Sequence, residues 1–155
     1  MQHTPCTKIY HTRIHSRLVD PVAQIVVIHG WASSSNFVEI GCEFAKSGII
    51  AHLFDMRGFG YSGGLRRNSR IEDFLKDLHL VIGKCFSDLP LFLYGHSLGG
   101  FIAMKYLILN RIKVSGVLFT SPFVSIPFFW KITKFKKILL NLLGGLCEVN
   151  LSYYS

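Results

Sequence analysis

The stretch LFLYGHSLGGFIAMKYLILN, residues 91–110, decides the fold. Its opening run, Leu91–Gly95, is apolar without polar alternation, the pattern of a strand covered on both faces. From Leu98 to Asn110 the pattern becomes helical. Between them, Gly95-His96-Ser97-Leu98-Gly99 satisfies G-x-S-x-G, a turn that lifts a serine out at the end of a strand and leads directly into a helix. Side chains two residues to either side of that serine would collide with neighbouring backbone, and glycine at 95 and 99 removes them. The N-terminus of the following helix adds a field that favours a developing oxyanion. Residue types in this order point to Ser97 as a nucleophile.

Working outward, similar apolar runs recur at Gln24–His29, Ile49–Asp55 and Val114–Thr120, with a further strand expected at Lys8–Ile14. Helical patterns fall between them at 36–47 and 70–86. In the second, Ile71, Phe74, Leu75, Leu78, Ile82 and Cys85 share one face, with Asp73, Lys76 and Asp77 outside it. Alternation of buried strand and helix predicts an α/β fold: a mostly parallel sheet with helices on both faces and right-handed crossovers.

Two other loops follow buried strands. His29-Gly30-Trp31 stands where an earlier loop supplies one oxyanion-hole amide to an elbow of this design. The candidate donors are therefore the backbone N–H groups of Trp31 and Leu98, with Gly30 as the loop glycine and His29 fixing the loop by hydrogen bonding. In Asp55–Gly64, Gly58, Gly60 and Gly63 satisfy G-x-G-x-x-G. A dinucleotide site would open a helix at once and carry an acidic residue at a strand end about 20 residues on. The sequence instead runs on as LRRNSR, so the loop reads as a glycine-rich turn pinned by Asp55 and Arg57.

The 155 residues suffice for one core, and 17% charged residues against 50% apolar excludes a disordered polyampholyte. No apolar run approaches the roughly 20 residues of a membrane span, and no secretory signal is visible in MQHTPCTKIYHTRIHS. Cys6, Cys42, Cys85 and Cys147 form no C-x-x-C pair and read as reduced thiols of a cytoplasmic protein, with no metal site expected. The net charge of +8 gathers toward the C-terminus, where Lys105, Arg111, Lys113, Lys131, Lys134, Lys136 and Lys137 face Glu148 alone. Nucleic acid is not expected as a partner, because no recognition motif accompanies the charge. Phe128, Ile132, Phe135, Leu139, Leu142 and Leu146 form one helical stripe beside the lysines. Residues 128–146 thus suit a helix packed on its own domain, a lid over an acyl pocket or a helix lying on a membrane surface.

HGW, DMRGFGYSGG, GHSLGG and TSPF, in this order and spacing, resemble the monoacylglycerol-lipase-like (serine aminopeptidase-like) branch of the α/β hydrolases over about residues 8–126. The resemblance implies a hydrolase domain over 1–126 and the start of a cap over 127–155, truncated after the sixth strand. It further implies a serine nucleophile at Ser97, oxyanion amides at Trp31 and Leu98, small-molecule or lipid ester substrates such as monoacylglycerol, and no cofactor. One departure matters. The triad of this fold runs Ser, Asp or Glu, then His along the chain, but all seven histidines lie at or before His96 and Glu148 is the only acid after Ser97. The triad Asp and His are thus expected to be missing from this chain, and a non-catalytic remnant that binds lipid, membrane or a partner is the alternative. An unpaired strand edge at 114–120 is expected to favour self-association.

Overall fold

All six residues of the strand Ala23–Ile28 are buried, which requires a central position with cover on both faces. In the computed structural model, which describes residues 8–31, 33–34, 37–65, 69–110 and 112–123, this strand is β2. In chain order the elements are β1 (His11–Ile14), β2, α1 (Val38–Lys46), β3 (Ile49–Phe54), α2 (Ile71–Ile82), β4 (Leu91–His96), α3 (Leu98–Asn110) and β5 (Gly116–Thr120). The chain divides into two compact units, Met1–Phe123 and Val124–Ser155. Every described residue belongs to the first, so the expected helix at 128–146 and the whole of 127–155 lie outside the description, as do Cys6 and Cys147.

The sheet runs β1-β3-β2-β4-β5. β2, β3, β4 and β5 are mutually parallel, and β1 pairs antiparallel with β3. Alternate residues of β2 serve opposite faces. Val26 and Ile28 join Phe74, Leu78, Ile102 and Tyr106 of α2 and α3, while Ile25 and Val27 join the side on which Phe37, Ile40 and Phe44 pack around α1. This is the expected α/β-hydrolase-like sheet with helices on both faces. It has five strands among the described residues where the resemblance implied six. Four apolar runs and the further strand expected at Lys8–Ile14 account for these five, and the sixth was implied by the resemblance.

Other expectations shift for local reasons. α2 ends at Ile82 rather than 86, because Gly83 closes it by donating its N–H to His79 O and tighter turns carry Lys84 and Cys85. At its start, the Asp73 carboxylate accepts the Arg70 N–H at 3.0 Å. β5 lacks the cover expected on both faces: Leu118 is 44% exposed and Phe119 38%, and among the described residues it is the last strand of the sheet, paired with β4. Among the described residues no helix is long and apolar enough to cross a membrane.

Candidate active site

The four parallel strands deliver their carboxyl ends to one edge of the sheet. From β2 the chain crosses one way, through α1, to β3. From β4 it crosses the other way, through α3 on the opposite face, to β5. Right-handed crossovers of opposite direction part at the ends of β2 and β4 and leave a crevice there. The loop His29-Gly30-Trp31 and Ser97 both stand at that crevice. A Cβ placed on Gly30 would lie 3.2 Å from Ser97 Cβ and 3.2 Å from His96 Cδ2.

Ser97 joins β4 to α3 with φ of 51°, a left-handed conformation that costs a serine about 1–3 kcal/mol and persists only where its surroundings fix it. The surroundings here are backbone. A Cβ at Gly99 would strike the Ile28 carbonyl of β2, and one at Gly95 would lie 2.6 Å from Gly100 Cα. Both glycines that the sequence singled out are thus required by close approach. Leu98 opens α3 immediately after the serine, so its N–H belongs to the first turn, where no preceding helical carbonyl receives it. Trp31 is 52% exposed and sets its ring edge-on against Phe59, centroids 5.5 Å apart.

The two histidines near Ser97 are committed elsewhere. His29 Nε2 accepts the Met56 N–H at 3.0 Å, and a backbone amide can only donate, so that nitrogen is unprotonated. Nδ1 then carries the proton and donates it to the Gly30 carbonyl at 2.8 Å. The ring is 1% exposed. It ties the β2 loop to the loop after β3, as expected, and its tautomer suits no proton transfer at Ser97. His96 Nδ1 bonds Thr120 Oγ1 at 3.0 Å, and the same oxygen meets Tyr94 OH at 2.9 Å. Its ring also faces Phe37, centroids 6.0 Å apart.

Residues 55–64 form a turn and not a nucleotide cradle, since α2 begins only at Ile71. Asp55 Oδ2 accepts the Tyr61 N–H at 2.8 Å. Phe59 packs on His29, Trp31 and Phe74. Arg57 reaches α2, where its guanidinium grips Asp77 and lies 3.3 Å from Asp73. Asp77, expected outside the apolar face, is fully buried. Its position at about 60° of helix rotation from Phe74 borders the stripe, and only the pairing with Arg57 shows that it turns inward. Thr120 was also missed as a hub of the site, since a hydroxyl at a strand end carries no signal of its own.

A family model described as "Serine aminopeptidase, S33" matches residues 19–150. An uncharacterized abhydrolase domain-containing protein of Dictyostelium discoideum is 37% identical over 131 residues, covering 83% of this chain and 14% of its own length. The monoacylglycerol lipase of Mycolicibacterium smegmatis is 33% identical over 92 residues, 56% of this chain and 33% of its own. The chain therefore spans a third or less of these curated relatives. Among solved structures, the monoacylglycerol lipase of Paleococcus ferrophilus superposes with a TM-score of 0.66 at 25% identity, covering 90% of this chain and 53% of the other. With the sheet order and the strand–turn–helix at Ser97 already in place, the conclusion is direct: the chain belongs to the serine aminopeptidase S33 family, in the lipase- and esterase-like branch of the α/β-hydrolase superfamily.

Proposed function

We propose that this chain carries the nucleophile half of a serine hydrolase acting on carboxylic esters of lipids. The observation that carries the reading is the left-handed Ser97 at the β4–α3 junction, set against the backbone of Gly30 across the crevice. Ser97 Oγ attacks the ester carbonyl carbon, and the carbonyl oxygen gathers negative charge between the Trp31 and Leu98 amides. The Ser97 hydroxyl gives its proton to solvent, the leaving alkoxide takes one from solvent, and water then attacks the acyl-serine, releasing the acid and restoring the Ser97 hydroxyl. Gly30 keeps a side chain away from Ser97, while Gly95 and Gly99 let the elbow close against the backbone of Gly100 and Ile28. Two of the similar proteins bear the name monoacylglycerol lipase, which supports a lipid ester over a peptide.

His29 and His96 are both held in other hydrogen bonds, so the rate expected of these 155 residues is that of oxyanion stabilisation and binding without a base. Serine hydrolases stripped of their triad retain about 10³–10⁴-fold over water. The test is hydrolysis of p-nitrophenyl butyrate and of a monoacylglycerol by the purified chain. Slow turnover abolished by Ser97→Ala supports the reading. Turnover unchanged in Ser97→Ala, or none above the uncatalysed rate, removes it. The proposal extends to self-association through β5, the last strand of the described sheet, and a separate reading gives the lysine-rich sequence 128–146 a contact with an anionic membrane surface. Size-exclusion chromatography tests the first. Vesicle flotation with Lys131, Lys134, Lys136 and Lys137 neutralised tests the second.

A further inference from the structure

Ser97 is gripped from outside its own strand and helix. Its N–H donates to the Thr120 carbonyl at 3.0 Å, and its carbonyl accepts the Phe123 N–H at 2.8 Å as well as those of Gly100 and Phe101 at 3.1 and 3.3 Å. Thr120 is the register partner of His96 at the end of β5. Three residues later the chain has turned back to reach the other side of the same serine. The turn is made by Ser121, the other described non-glycine residue with positive φ, at 43°. It is followed by Pro122, which lies close enough that a Cβ on Gly100 would come within 2.8 Å of the proline Cβ. The Phe123 ring then packs edge-on against Phe101 of α3, centroids 6.5 Å apart.

We propose that the exit of β5, Thr120-Ser121-Pro122-Phe123, is a clamp that fixes the strained backbone of Ser97, and that Ser121 is a positioning residue for the nucleophile through its left-handed turn. A residue in the left-handed region persists only when its neighbours over-determine it, and Ser97 is joined by backbone hydrogen bonds to Thr120 and Phe123, the residues on either side of the turn that Ser121 makes. Release of that turn loosens Ser97. Because its N–H is spent on Thr120, Ser97 contributes no amide of its own to an oxyanion, and that role falls to its neighbours. The inference deepens the nucleophile reading but has a readout independent of it.

The experiment compares the full chain with Ser121→Gly, which accepts positive φ freely, and Ser121→Val, whose branched side chain does not. Site-resolved hydrogen exchange reports the Ser97 and Phe123 amides, and a fluorophosphonate probe reports the hydroxyl. The expected result is slow exchange at both amides in the parent and in Ser121→Gly, with labelling of Ser97 within about twofold. In Ser121→Val both amides exchange at least tenfold faster and labelling falls at least tenfold at unchanged far-ultraviolet circular dichroism. Should Ser121→Val fail to fold, unprotected Ser97 and Phe123 amides in the parent overturn the clamp, and protected ones with parent-like labelling of Ser121→Gly support it. Parent-like exchange and labelling in a folded Ser121→Val also overturn it. Protected amides in a parent that the probe never labels leave the clamp standing and sink the nucleophile assignment instead.

Discussion

The guanidinium of Arg57 forks onto the buried carboxylate of Asp77: Nη2 lies 2.6 Å from Oδ1 and Nε lies 3.1 Å from each oxygen, while the Arg57 backbone N–H bonds Oδ2 at 2.9 Å. One carboxylate thus takes both the side chain and the main chain of the residue that opens the glycine-rich turn, and so fastens that turn to α2. Phe59, two residues on, is the surface on which His29 and Trp31 rest. The ion pair holds the scaffold behind the crevice.

Removing one partner of a buried ion pair leaves the other uncompensated, at about 3–5 kcal/mol. Asp73, 3.3 Å from the same guanidinium, still compensates part of the Arg57 charge, so Asp77→Ala is expected to lower unfolding free energy in urea titration by the lower end of that range, about 3 kcal/mol. Arg57→Met with Asp77→Leu restores part of it but retains about 1–3 kcal/mol, because the Arg57 amide then lacks its acceptor. A single variant as stable as the parent would contradict this account of the turn.

His11 Nε2 and His52 Nδ1 are 3.2 Å apart, with the rings within 13° of coplanar and their centroids 5.4 Å apart. That separation is what an end-to-end N–H···N bond in one plane gives, so the pair shares a proton between neutral rings. Burial first, then neighbouring charge (Lys84 and Arg13 at His11, the other imidazole and Arg13 at His52), pushes both down to about 4. The unfolded chain, near 6.5, binds more protons over that interval, so stability present above pH 6.5 is lost as pH falls toward 4. Melting temperature is expected to drop across this window as β1 loosens from β3. His11→Gln with His52→Gln flattens that limb, and an unaltered limb in the double variant would refute the assignment.

Gly99→Ala drives a methyl group into the Ile28 carbonyl of β2, whereas Gly83→Ala finds nothing nearer than 3.5 Å at φ of −64°. The first is expected to destabilise by about 1–3 kcal/mol or more. The second is expected to stabilise by about 0.4–1 kcal/mol, by narrowing the unfolded ensemble. Paired thermal melts decide it, and equal effects would mean that the elbow is not closed by backbone.

Periodicity made the central strands and the Ser97 turn legible because both are local: an apolar run, two glycines at fixed offsets and a helical pattern directly after. The inward turn of Asp77 was not legible, since its partner Arg57 lies 20 residues away and only packing brings the two together. Exposure of β5 likewise depends on strand order, which an apolar run does not encode. The role of Thr120 needs both its register with His96 and the return of the chain to Phe123. The absence of a histidine after Ser97 could be read directly from the chain. That His29 and His96 are both occupied required the hydrogen bonds.

The most direct measurement is peptide mapping by mass spectrometry after prolonged treatment of the 155-residue protein with a fluorophosphonate. The account predicts slow phosphonylation concentrated on Ser97, where the phosphonyl oxygen meets the same amides that would receive a tetrahedral oxyanion, with the chain's other serines unmodified. An adduct spread evenly over exposed serines, or one that spares Ser97, would contradict it.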